Sequence, residues 1–124
     1  MMTIGNDESI VSDCLFCKIV AGELPSKPVA QSATAYAFAD IAPQAPVHVL
    51  VIPRVHITSA DEVASTHGGV VDDLILLAQE VVEIEGIRDS GYRLVMNVGA
   101  DAQMSVAHLH LHVLGGRRMG WPPG

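Results

Sequence analysis

His108-Leu109-His110-Leu111-His112-Val113-Leu114 is the stretch that decides how this chain is read. Side chains on a strand alternate between faces. His108, His110 and His112 therefore share one face, and Leu109, Leu111 and Val113 share the other. The apolar face can pack on a core, while the imidazole face must meet water, a metal or a ligand. Each buried neutral imidazole needs partners for two ring nitrogens, so a row of three is hard to satisfy inside a core. A solvated polar face is the plain alternative, but the segment lacks the ordinary polar residues that would make it natural. Imidazole suits two tasks. It can attack through one nitrogen when an acceptor holds the proton of the other, and it can bind metal. The preceding residues 97–105, Asn97 to Ser105, add an amide, a hydroxyl and many backbone N–H groups that suit phosphate oxygens.

Outward from that segment, strand signals occupy Val29–Ser32, Tyr36–Asp40, Val47–Ile52, Tyr92–Val98 and Ser105–Leu114. Pro53 stops the third strand, and Gly115-Gly116 ends the last. Asp13 is the expected cap of a short helix through Leu15, Phe16, Ile19 and Val20, closed by Gly22. Ser59-x-x-Glu62 has capping-box spacing and predicts a helical turn near Ala60. The main helix is expected over Val70–Glu85, with Val70, Leu74, Leu77, Ala78, Val81 and Glu85 on one side and Gly86 as its C-terminal cap. Gly99–Met104 reads as a loop. Five short strands and two helices without regular alternation predict an α+β domain with antiparallel pairing.

A chain of 124 residues holds one core. Residues 1–12 read as a disordered tail and 13–124 as a single domain. Hydrophobic residues make up 49%, too many for a disordered chain. Seven Lys and Arg against fourteen Asp and Glu give a formal charge of −7, which argues against a nucleic-acid-wrapping surface. No apolar run approaches the ~20 residues that span a bilayer, and the polar, acidic start does not resemble a secretory signal. The expected location is the cytoplasm. There a Cys-x-x-Cys pair such as Cys14 and Cys17 is more often a metal half-site or redox couple than a structural disulfide, with buried free thiols as a further alternative.

The alternation of three His with apolar residues resembles the signature of the histidine triad (HIT) superfamily. Further blocks resemble its nucleotide-binding, Hint-type branch: Phe16-Cys17-Lys18-Ile19, residues 40–48 from Asp40 to His48, Val51-Ile52-Pro53-Arg54-x-His56, and the ending from Gly115 to Gly124. The likeness spans about residues 13–124. It implies a HIT-like five-stranded antiparallel sheet with two helices, and a homodimer in which two sheets become one.

The same resemblance implies a hydrolase of purine nucleoside phosphoramidates. His110 would attack the α-phosphorus, forming a covalent nucleotidyl-His110 intermediate that water releases as AMP or GMP. His108, His112 and Ser105 would complete the catalytic set, with His112 and Ser105 on phosphate or the departing group. Asp40, Ile41, Phe16, Phe38, Asn97, His48 and Gln103 would bind the nucleotide. Asp40 would accept from the ribose hydroxyls, and Trp121 would reach toward the partner's site. Relatives that keep the Cys pair imply a structural zinc held by Cys14, Cys17, His48 and His108, with no metal needed for catalysis. His67 reads as a surface residue, and His56 lines the pocket by resemblance only. Relatives commonly carry Gly then Gln where this chain has Gln103-Met104, so a different loop path is expected there. Two other functions stay open: a dinucleoside polyphosphate hydrolase using the same His110, and a non-catalytic, zinc-stabilised nucleotide-binding interaction protein.

Overall fold

Alternate side chains along the strands feed two packed faces, so central β3 is buried at nearly every position. A computed structural model describes residues 13–124, and the tail reading of 1–12 lies outside them. Five strands, β1 (Pro28–Gln31), β2 (Ala35–Ala39), β3 (Val47–Pro53), β4 (Tyr92–Val95) and β5 (Leu111–Gly115), form one sheet in the order β1-β2-β3-β5-β4. Every neighbouring pair is antiparallel. Ala35 and Ala37 of β2, Val49 and Val51 of β3, and Leu111 and Val113 of β5 pack on one face. Helix α2 (Val70–Glu85) covers them with Leu74, Leu77, Ala78, Val81 and Val82. Burying each such Leu or Val contributes about 1.5–3 kcal/mol relative to exposure. Helix α1 (Leu15–Val20) lies over the opposite face, where Phe16 packs with Phe38, Leu50 and Ile52.

The boundaries of α2 agree with the spacing, and Gly86 takes the left-handed conformation (φ +70°) that closes it. Two expectations are corrected. Cys14, not Asp13, caps α1, because its Sγ accepts the Cys17 N–H. The fifth strand begins at Leu111 rather than Ser105. Its ladder partners run out there: Val51 faces Leu111, and β3 ends two residues later at Pro53, which has no N–H to donate. The alternation of faces nevertheless continues upstream, with Leu109 in the α2-side core and its N–H bonded to the Ile57 carbonyl at 2.6 Å. Smaller shifts place β1 and β2 one residue earlier than expected and end β4 at Val95. The Ser59 signal yields a 3-10 turn over Ala60–Glu62, with the Ser59 hydroxyl accepting from the Asp61 N–H. The 99–104 loop contains another such turn, Ala100–Ala102.

Candidate active site

The three histidines lie on the α1 side of the sheet, and each is held differently. His108 is fully buried. Its Nε2–H donates to the Pro53 carbonyl at 3.0 Å, so Nδ1 keeps its lone pair. That nitrogen lies 3.3 Å from the Cys14 Sγ and 3.6 Å from the Cys17 Sγ. His110 is buried too, and its Nδ1–H donates to the His108 carbonyl at 2.7 Å. The lone pair of His110 is thereby confined to Nε2. Phe16 meets the His110 ring edge-on at 5.2 Å and limits its rotation.

His112 is fixed through a relay. The Gln44 N–H donates to His48 Nδ1 at 3.0 Å, so the His48 proton sits on Nε2. That Nε2–H donates to His112 Nδ1 at 2.9 Å. The His112 proton is therefore on Nε2, a buried donor with no partner among the described residues. An unpaired buried donor is costly unless something accepts from it. Burial, with His110 and His48 nearby, lowers the His112 pKa to about 4 against an opposing pull from Asp40. The ring is neutral at pH 7. His48 is also held below its usual value by burial, partly offset by Asp40. The Asp40 carboxylate lies 3.4 Å from His48 Nε2 and accepts the Ala42 N–H at 2.8 Å.

The side chains gathered around the thiols differ from the expected metal-ligand set at one position. The fourth side chain beside the thiols is His56, whose Nδ1 lies 3.3 Å from the Cys17 Sγ. His48 is absent from that group. The reason is register: His48 stands opposite Leu114, at the far end of β3 from Pro53, roughly 16 Å away at ~3.3 Å per residue. His56 follows just after Pro53, where His108 is bonded. The sequence does not mark His56 for this cluster, because three residues past a strand end carry no periodic signal. Its closeness in the chain to Pro53 was the available clue.

Cys14, Cys17, His56 and His108 present ligand atoms within 4.8 Å of one another. Tetrahedral zinc with Zn–S of about 2.3 Å and Zn–N of about 2.0 Å sets S···N edges of about 3.5 Å. The observed 3.3, 3.6 and 3.3 Å fit that shape. Burial keeps His108 neutral, with a pKa lowered to about 4, which suits a ligand nitrogen. Asp40, His48 and His112 also converge, but they suit a cation poorly. His48 spends its Nδ1 lone pair on the Gln44 N–H and has only a proton to offer at Nε2.

The remaining expected residues are dispersed around this centre. Ile41 is 99% exposed, a bare apolar side chain beside Asp40. Phe16 and Phe38 are buried in the α1-side core, leaving little ring surface open. Asn97 is half-buried just beyond β4. Ser105 is exposed and lines a cavity of about 470 Å³ with Cys14, His56 and Thr58, on the thiol side of the centre. Gln103 adopts φ +60°, the left-handed conformation that a glycine takes without strain. Trp121 is 82% exposed; Arg93 stacks over its ring at 5.9 Å and donates to the Gly120 carbonyl.

Residues 21–119 match the family model of the HIT domain. The chain is 40% identical to the purine nucleoside phosphoramidase of Escherichia coli K12 over 111 residues, 90% of this chain and 93% of that protein. It is 43% identical to the 14 kDa zinc-binding protein of Zea mays over 115 residues, 91% of this chain and 89% of that one. The crystal structure of a HIT family hydrolase from Legionella pneumophila Philadelphia 1 has a TM-score of 0.86 to it at 44% identity, covering 90% of this chain and 99% of that one. A five-stranded antiparallel sheet with two helices, carrying three histidines on one face, thus places this chain in the HIT-domain family.

Proposed function

We propose that the chain is a hydrolase of purine nucleoside phosphoramidates, acting through a covalent nucleotidyl-His110 intermediate. One observation carries the reading. The His108 carbonyl holds the proton of His110 on Nδ1, which leaves Nε2 as the nitrogen that attacks. Nε2 attacks the α-phosphorus, the P–N bond breaks, and the amine departs after gaining a proton. Water then attacks the same phosphorus, the P–Nε2 bond breaks, and AMP or GMP is released. His112 offers its unpaired Nε2–H to a phosphate oxygen, whose charge grows in the transition state. Ser105, Asn97 and Gln103 serve the phosphate side. Asp40 accepts from the ribose hydroxyls, and Ile41 covers the base with Phe16 and Phe38 behind it. The 40% identity to the Escherichia coli phosphoramidase supports an amine as leaving group.

Cys14, Cys17, His56 and His108 would hold a structural zinc, and the likeness to the maize zinc-binding protein supports that assignment. Four protein ligands leave no open position for water. Zinc there supplies rigidity, pinning His108 and so the carbonyl that orients His110. A homodimer fits the outer edge of β4, which pairs with β5 alone among the described residues, and the exposed Tyr92 and Leu94 on that strand. No helix among the described residues is long and apolar enough to cross a membrane. A reducing cytoplasm would keep both thiols available as ligands.

Turnover of an adenosine 5′-phosphoramidate, measured beside diadenosine polyphosphates, tests the substrate class. Faster release of AMP from the phosphoramidate is expected. Preference for the polyphosphates, or AMP binding without turnover of either, would overturn the reading.

A further inference from the structure

The relay that sets the His112 tautomer starts at the backbone of Gln44, and the C-terminal tail holds that residue from its other side. The Arg117 guanidinium donates twice to the Gln44 carbonyl, from Nε at 3.3 Å and from Nη2 at 3.1 Å. Its Nη1 donates to the Arg118 carbonyl at 3.1 Å, which fixes the plane of the fork. The approach is built into the chain. Gly116 has φ +87°, and a Cβ there would stand 2.9 Å from the Pro46 Cβ, so glycine lets the end of β5 run against the 43–46 loop. The Gln44 side chain adds a further tie by donating to the Ala42 carbonyl at 2.9 Å.

We propose that Arg117 is a positioning residue for His112, acting through the Gln44 backbone and His48. Residue 44 presents its N–H to His48 Nδ1. Without a fixed residue 44 the Nδ1 donor is lost, and the His48 proton is drawn to Nε2 only by the longer 3.4 Å approach of the Asp40 carboxylate. The His48 ring could then exchange tautomers, and the His112 proton would move from Nε2 to Nδ1 in step. In that alternative state His112 would present a lone pair, not a proton, to the phosphate. Arg117 suits the task better than Lys because two donors in one plane grip a single carbonyl.

The catalytic part of this inference rests on the proposed hydrolase activity; the tautomer part does not. Uniformly 15N-labelled wild type, Arg117→Gln and Arg117→Lys are compared by long-range imidazole NMR and by phosphoramidate kinetics. In the wild type, His48 and His112 each show one protonated and one unprotonated nitrogen with well-separated shifts. In Arg117→Gln those shifts converge and kcat falls about three- to tenfold, the range expected for one lost orienting hydrogen bond, with KM within about twofold. Arg117→Lys lies between. Unchanged nitrogen shifts in Arg117→Gln overturn the proposal, whatever the rate does. A raised KM with unchanged shifts would mean that Arg117 touches substrate directly. A wild type with the expected shifts but no turnover would defeat the proposed function and leave the positioning role standing.

Discussion

His108 and His112 are the same residue type four positions apart, yet they are held in opposite senses. His108 gives its Nε2 proton to a carbonyl and turns a bare Nδ1 toward two thiols. His112 accepts a hydrogen bond at Nδ1 from the His48 Nε2–H and carries its own proton on Nε2, without a partner among the described residues. One end of the segment offers a lone pair to a cluster that could hold a metal, and the other end offers a proton. The nucleophile candidate stands between them, its Nδ1–H donating to the carbonyl of the first. The face an imidazole occupies comes from strand alternation, but its chemistry comes from the backbone group that claims its other nitrogen.

That contrast can be broken experimentally. His110→Ala has the largest expected effect: turnover falls by roughly 10⁴-fold or more, as for other removed nucleophiles, while AMP affinity by calorimetry changes little. At the thiol end, Cys17→Ala lowers bound zinc from about one per chain to near zero by elemental analysis. It also lowers Tm by about 10 °C or more, because structural zinc contributes directly to folding. His48→Asn should keep the zinc, and loss of metal in that variant would restore His48 as a ligand.

At the donor end, acid separates the two regions further. The His112 pKa is about 4 in the folded chain and about 6.5 when unfolded. Between those values the unfolded chain binds more protons, so stability falls as pH drops from about 6.5 to 4 and levels off below. The ring is half-buried, so solvent screening leaves about 1–2 kcal/mol of that loss. Urea unfolding of zinc-loaded wild type and His112→Asn across this window checks it: the variant should show the smaller slope. Gln103→Gly has the smallest expected effect. Releasing the left-handed strain at φ +60° offsets the entropy cost of glycine, leaving a net gain of about 0–1 kcal/mol, read from the same unfolding curves.

The parts legible in the sequence are those set by local period. The α2 limits follow from apolar spacing and Gly86, and the shared face of the histidines follows from alternation. The family is legible in the Asp40–His48 and His108–His112 blocks, both of which lie inside the 21–119 match to the HIT domain. What was not legible depends on contacts between distant segments. His56 joins the thiols because β3 stops at Pro53 and the chain turns back over His108, and no periodicity encodes that return. The upstream limit of β5 depends on where its neighbours stop pairing, a property of β3 and β4 rather than of residues 105–110. Gln44 holds His48 through its backbone alone, which its side-chain identity does not advertise.

The most direct test of the central claim is rapid-quench mass spectrometry during phosphoramidate turnover, with peptides handled under alkaline conditions that spare a phosphorus–nitrogen bond. A nucleoside monophosphate should be found on the peptide carrying His110, and it should be absent in His110→Ala. Modification at another residue, or full turnover with no enzyme-linked species at any time point, would contradict attack by the His110 imidazole.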